Sequence, residues 1–209
     1  MDKNDKIKVL LVDDHAVMRL GLVALLKTQR NLNVIGNVGD GEAALAFVRS
    51  AKPDVIIMDL MMPGMSGVET TRRLLEIDPS LHILILTTYG TADDLAHALE
   101  AGARGALLKT ADLPDLVAAI QKVAQGKSFI SPEIQQIMMT DPPVPTLSEQ
   151  QTNVLDSIIR GLSNDQIALQ LNISKARVKE HVNTLYNKLG AANRTEAVAI
   201  ALRKQLLKI

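Results

Sequence analysis

No cysteine occurs among the 209 residues, which excludes a disulfide framework, a thiolate metal centre and a thiol nucleophile, and fits a reducing cytoplasm. Tryptophan is absent as well, and Tyr and Phe number two each, so the 47% hydrophobic share rests on aliphatic side chains. That share can fill real cores, whereas a disordered chain would be poorer in apolar residues and more lopsided in charge. The opening MDKNDKIKVL lacks the apolar stretch of a signal peptide, and no 18 uncharged apolar residues run together anywhere. Export and membrane spanning therefore gain no support. A net charge is lacking too, but the balance separates by region. Residues 1–128 carry 14 Lys+Arg against 16 Asp+Glu, a net of −2, while residues 147–209 carry 9 against 5, a net of +4. A modest positive excess confined to one small segment suits contact with nucleic acid.

What is present in the first part is an alternation of apolar runs with segments of helical spacing. The runs are Ile7 to Val12, Asn33 to Val38, Val55 to Met58, His82 to Thr87 and Gly105 to Leu108. Helices are expected near 15–29, 41–50, 66–77, 92–101 and 112–125. Strands that are almost wholly apolar are covered on both faces, so the pattern predicts an α/β domain with a five-stranded, doubly wound parallel sheet. The periodicity fades after Gly126, and Asp141-Pro142-Pro143-Val144-Pro145 cannot continue a helix. We therefore expect a first domain over 1–126, a linker over 127–145 and a second domain over 146–209. A short helix within the linker is possible from Ser131, as N-cap, to Thr140. After Thr146 four helices are expected, at 148–160, 164–171, 175–188 and 194–206, joined by connections short enough for one compact all-α unit.

In an open parallel sheet, chemistry collects outside the carboxyl ends of the strands. The first run ends in Asp13-Asp14-His15, the third in Asp59, the fourth in Thr87-Thr88 and the fifth in Lys109. Clustered carboxylates repel one another, and an oxygen-liganded hard cation such as Mg2+ relieves that repulsion. Beside such a cation an Asp carboxylate can attack phosphorus and form an acyl phosphate, with Lys109 as a second positive charge. His15 is expected at the helix start on the surface, and Gly64 and Gly67 in turn geometry after Pro63.

The motifs VDDH at 12–15, MDLMMPGMSG at 58–67, LTTY at 86–89 and GALLK at 105–109 resemble the receiver domain of two-component response regulators, a flavodoxin-like fold. By that resemblance Asp59 is the phosphoacceptor. Asp13, Asp14, Asp59 and the backbone carbonyl of Met61 would hold Mg2+, Thr87 would bond a phosphoryl oxygen, and Lys109 would pair with it. A sensor histidine kinase would be the phosphodonor. One departure stands out. Receivers commonly carry an aromatic residue three positions before the lysine, which swings inward when the threonine moves, and here that position is Ala106. Tyr89 is the nearby aromatic expected to substitute.

In the second part, Ser174 to Leu189 has the two stripes a DNA-reading helix needs. Val178, Val182, Leu185 and Leu189 form a core face, while Lys175, Lys179, Glu180, Asn183 and Asn187 point elsewhere. The preceding GLSNDQIALQLNIS supplies a Ser163 cap, a short amphipathic helix and a tight turn. GLSN at 161–164, Ile167-Ala168, Ile173-Ser174, Val178-Lys179, His181, KLG at 188–190 and Arg194 to Val198 resemble the LuxR-type helix-turn-helix of NarL/FixJ-class regulators. Gln150, Gln166 and Arg177 depart from that pattern. The resemblance implies groove contacts from Lys179, Glu180 and Asn183, and backbone phosphate contacts from Lys175, Arg177, Lys188 and Arg194.

Together these readings predict a non-enzymatic, cytoplasmic, DNA-binding transcription regulator, homodimeric on DNA, controlled by Mg2+-dependent phosphorylation of Asp59. Two alternatives stay open to the sequence. One is a constitutive DNA-binding protein whose receiver is a dimerisation scaffold. The other is an aspartyl-phosphate phosphohydrolase, although no Glu or His suited to acid/base work follows Asp59.

Overall fold

The computed structural model describes residues 6–88, 91–140, 143–144, 147–204 and 206. Its contacts divide the chain into two compact units, Met1–Pro142 and Pro143–Ile209.

In the first unit the chain runs β1 (Ile7–Val12), α1 (Ala16–Lys27), β2 (Leu32–Val38), α2 (Gly41–Ser50), β3 (Val55–Met58), α3 (Gly67–Ile77), β4 (Ile83–Thr87), α4 (Ala92–Glu100), β5 (Gly105–Leu108), α5 (Leu113–Ala124), β6 (Phe129–Ile130) and α6 (Pro132–Thr140). All pairings are parallel, in the order β2-β1-β3-β4-β5-β6. Alternation along the strands sorts the apolar side chains into two layers. Val9, Leu11, Ile57, Leu84 and Leu107 pack with Leu26 of α1 and with Leu116 and Ile120 of α5. Leu10, Val12, Ile56, Ile85 and Ala106 pack with Ala44 of α2, Leu74 of α3 and Leu95 of α4. Helices on both faces explain why β3 and β4 are buried at every residue. The strand order reverses at the β1/β3 boundary, so the crevice for chemistry opens above Val12 and Met58.

Five strands were expected, and the described residues form six. β6 is only two residues long, too short to register as a periodic run, and it pairs with Gly105 and Ala106 of β5. Residues 127–145, read from sequence as a linker, thus give β6 and α6 to the first unit. α6 packs against β5 and α4, with Ile134 fully buried. Asp141, Pro142, Pro145 and Thr146 of the expected extended stretch lie outside the described residues.

The second unit is helical: α7 (Glu149–Ile159), α8 (Asn164–Leu171), α9 (Lys175–Leu189) and α10 (Arg194–Arg203). Each start has a side-chain cap. Ser148 and Ser163 form capping boxes with Gln151 and Gln166, and Ser174 and Asn193 accept from the backbone amides of Arg177 and Glu196. Asn172 (φ 52°) and Gly190 (φ 66°) end α8 and α9 in the left-handed conformation that halts a helix within one residue. Val154, Leu155, Ile158, Ile167, Val178, Val182, Leu185 and Ala197 make the core. Fully burying a Val, Leu or Ile side chain stabilises the fold by about 1.5–3 kcal/mol.

Candidate functional site

At the carboxyl edge of the sheet, three strand ends converge on one ammonium group. Lys109 Nζ, just past β5, lies 2.7 Å from Asp13 Oδ2 after β1 and 2.6 Å from Asp59 Oδ2 after β3. Asp13 and Asp59 are 1% and 3% exposed, so this is a buried ionic cluster and not a surface pair. Thr87 is fully buried at the end of β4, and its carbonyl accepts from the Lys109 amide at 2.7 Å. The structure therefore brings Asp13, Asp14, Asp59, Thr87 and Lys109 to one edge. Tyr89 lies outside the described residues.

The local backbone holds this edge in place. Asp13 N donates to Val38 O and Asp59 N to Val12 O, which locks each acid to the neighbouring strand. Asp13 Oδ1 accepts from the His15 amide at 2.8 Å, and Asp59 Oδ1 from the Met61 amide at 3.3 Å. The loop after β3 folds tightly back on itself. A Cβ on Gly67 would stand 2.0 Å from the Asp59 carbonyl oxygen, so only glycine fits where α3 begins.

Two buried carboxylates share one lysine, and protonation reflects that excess. Burial pushes the Asp59 carboxyl above its ordinary value; Lys109 and the Met61 amide pull it down, and Asp13 pushes it further up. Burial also works against the Lys109 ammonium, but its hydrogen bonds and charge interactions with Asp13 and Asp59 outweigh that and raise its pKa. Lys109 therefore stays charged, while Asp59 remains costly to ionise.

The residues fit a hard divalent cation. Single ligand atoms from Asp13, Asp14, His15 and Asp59 lie within 4.8 Å of one another. The Asp14 Oδ1 atom is buried and has no hydrogen-bond partner among the described residues. His15 Nδ1 lies 2.9 Å from it, an ion-pair contact only when the exposed imidazole is protonated. An orphaned buried carboxylate oxygen beside two further carboxylates is the donor set that Mg2+ takes.

Sequence spacing overlooked Arg19, whose guanidinium donates to the Asp13 carbonyl oxygen. The available signal was its position, as the charge interrupting the otherwise apolar AVMRLGLVALL. Ala106 is fully buried under α4 and the β6–α6 segment, opposite Ile85 on one side and Ile130 on the other. A bulky side chain there would have to displace that cover.

In the second unit, α9 buries Val178, Val182, Leu185 and Leu189. It exposes Lys175, Arg177, Lys179, Glu180 and Asn183. Lys175 pairs with Asp165 at 2.8 Å, and Arg177 with Glu180 at 4.0 Å; such exposed pairs exchange readily for other partners. Two of the expected phosphate contacts are otherwise engaged. Arg194 Nη2 donates to Ile158 O at 2.9 Å and to Leu162 O at 2.7 Å, which satisfies carbonyls at the end of α7. Lys188 Nζ donates to Gln151 Oε1 at 3.0 Å. Both half-buried side chains are thus bonded within the helical unit, Arg194 to backbone carbonyls and Lys188 to the Gln151 amide oxygen, which also accepts from Ser148 N.

Comparison with known proteins agrees with this geometry. Residues 9–121 match the response regulator receiver domain, and residues 145–201 match the bacterial regulatory proteins of the luxR family. A nitrate/nitrite response regulator protein homolog of Haemophilus influenzae is 38% identical over 200 residues, covering 94% of this chain and 96% of the relative. Response regulator protein VraR of Staphylococcus aureus is 34% identical over 207 residues, covering 97% and 99%. Among solved structures, the response regulator ChrA of a heme-sensing two-component system matches at 36% identity over 97% of this chain and all of that one, with TM-score 0.57. The RcsB response regulator in complex with DNA matches at 25% identity over 95% and 98%, with TM-score 0.69. Among the described residues no helix is long and apolar enough to cross a membrane. With both halves matched in order and relatives aligned nearly end to end, the chain belongs to the two-component response regulators, transcription regulators that join a receiver to a LuxR-type DNA-binding domain.

Proposed function

We propose that Asp59 accepts a phosphoryl group and that this modification controls DNA binding by the second unit. The observation that carries the reading is the convergence of Asp13, Asp59 and Lys109 within hydrogen-bond distance at the carboxyl edge of β1, β3 and β5. An Asp59 carboxylate oxygen attacks phosphorus, and the bond to the donor's leaving group breaks with its electron pair going to that group. Asp13, Asp14, Asp59 and the Met61 carbonyl would hold Mg2+, which offsets negative charge on the transferring oxygens when bound. Lys109 exchanges a carboxylate partner for a phosphoryl oxygen, and Thr87 donates its hydroxyl to another.

A histidine kinase is the proposed phosphodonor. An apolar groove of about 490 Å³, lined by Val17, Met18, Leu22, Leu25, Thr88 and Lys109, opens beside the acidic cluster and would seat such a partner. Lys179, Glu180 and Asn183 are the proposed base-reading side chains, and Lys175 and Arg177 the phosphate contacts. The protein would act in the cytoplasm as a homodimer on paired half-sites, because one small helix-turn-helix gives limited affinity.

Treatment with a small acyl-phosphate donor and Mg2+, followed by mass analysis and DNA titration at fixed salt, tests this. A single phosphoryl adduct is expected in the wild type and none in Asp59→Asn, with DNA affinity changed only in the wild type. An adduct without a change in affinity would favour a receiver that serves as a dimerisation scaffold, and the absence of an adduct would refute the phosphoacceptor role.

A further inference from the structure

We propose that Arg19 is a positioning residue for the acidic cluster, fixing the Asp13-Asp14 turn so that both carboxylates face Asp59. The inference rests on the reading of these acids as a divalent-cation site.

The turn between β1 and α1 needs an external hold. α1 starts at Ala16 with His15 as N-cap, but His15 makes no side-chain cap bond and the first turn has no acidic residue. The start of α1 is thus less restrained than those of α2, α3 and α4, each of which has a side-chain cap. What orders the turn is Asp13. Its Oδ1 accepts from the His15 amide, and its carbonyl accepts from Arg19.

Arg19 lies one helical turn beyond His15, with its amide donating to His15 O. Helical side chains lean toward the N-terminus, so the guanidinium reaches back over the turn. There it borders the loop after β2, where a Cβ built on Gly39 would stand 3.5 Å from Arg19 Nη1. Asp13 N is itself bonded to Val38, the residue before Gly39. Arg19 therefore binds the β1–α1 turn through the Asp13 carbonyl and borders the β2–α2 loop, to which the Asp13 amide is itself bonded. Its Nε is buried and has no hydrogen-bond partner among the described residues, and it forms no ion pair among them, so the side chain is not engaged in a surface salt bridge.

The test uses the full chain and Mg2+ alone as probe, with calorimetric titration for affinity and thermal melting in chelator for stability. Outer-shell partners of metal ligands change affinity by about 10- to 100-fold. Arg19→Ala is therefore expected to weaken Mg2+ binding about tenfold or more, and Arg19→Lys to recover part of that loss. Leu26→Ala, a buried core change in the same helix, is the control: it lowers the melting temperature and leaves Mg2+ affinity unchanged. Wild-type Mg2+ affinity in Arg19→Ala, or a loss no larger than in Leu26→Ala, overturns the positioning role and leaves the cation site standing. Absence of Mg2+ binding in the wild type overturns both. If Arg19→Ala fails to fold, Arg19→Lys and Arg19→Gln decide: Lys must bind Mg2+ more tightly than Gln, and equal affinities refute the proposal.

Discussion

Lys109 Nζ stands 2.6 Å from Asp59 Oδ2 while also contacting Asp13, so one ammonium serves two buried carboxylates. Neither acid has a full counter-charge of its own. The arrangement is a charge-deficient cluster that a divalent cation or a change of protonation relieves.

The first prediction concerns Asp59 and pH. Its pKa is raised in the fold, chiefly by burial, so the folded state holds this proton more tightly than the unfolded chain. Stability from that proton is present at acid pH and is lost as pH rises from the ordinary carboxylate value through the raised one. Asp59→Asn has no such loss. In chelator its melting temperature is expected to exceed that of the wild type at neutral pH, with the gap closing on acidification. Added Mg2+ should raise the wild-type value through binding linkage and leave the variant nearly unmoved. A gap that is constant across pH would refute the account.

Lys109→Met tests the opposite partner. The lysine side chain is 3% exposed, and removing one member of a buried ion cluster leaves uncompensated charge, costing about 3–5 kcal/mol. Denaturant unfolding in chelator is expected to show a loss of that order, partly restored by Mg2+ and by acid. A variant as stable as the wild type under both conditions would mean the cluster is better hydrated than its burial indicates.

Ala106→Phe probes the seat of α6. Ala106 and Ile134 are both fully buried in the same core layer, and inserting bulk into a packed core costs about 1–3 kcal/mol. Hydrogen exchange should quicken in residues 132–140 ahead of the rest of the receiver. If α6 keeps its protection while stability falls, the strain is taken up elsewhere.

Arg194→Ala and Lys179→Ala should separate folding from recognition. Loss of Arg194 leaves the Ile158 and Leu162 carbonyls without this donor, at a cost of about 1–3 kcal/mol in stability. Lys179 is exposed, so its removal should leave melting unchanged and weaken operator binding by about 1–3 kcal/mol if it reads a base. Lys175→Ala, as a phosphate contact, should instead lower the salt slope by about one. DNA titrations across salt concentrations, paired with melting curves, distinguish the three.

Much of this was legible in the chain because it is written in local periodicity. Four apolar runs ending in Asp13, Asp59, Thr87 and Lys109 place those residues at strand ends, and parallel topology places strand ends on one edge. The recognition helix could be read in the same way, from Val178, Val182, Leu185 and Leu189 recurring on one face. β6 escaped notice because two residues have no period. The bonds from Arg194 to the Leu162 and Ile158 carbonyls are not legible in the same way, because those partners lie 32 and 36 residues upstream, and no spacing rule connects a helix end to a donor that distant.

Sequence by itself determined the order of the elements long enough to have a period, the strand ends that carry Asp13, Asp59, Thr87 and Lys109, and the face of α9 left to solvent, since each follows from residue type and short-range spacing. Only the tertiary structure decided how charge is shared: that Lys109 bridges Asp13 and Asp59, that Arg19 donates to the Asp13 carbonyl, and that Arg194 and Lys188 donate to Ile158, Leu162 and Gln151. Those outcomes depend on distances of a few ångströms between residues far apart in the chain, because hydrogen bonds and the energies of buried charges are set by three-dimensional proximity and desolvation.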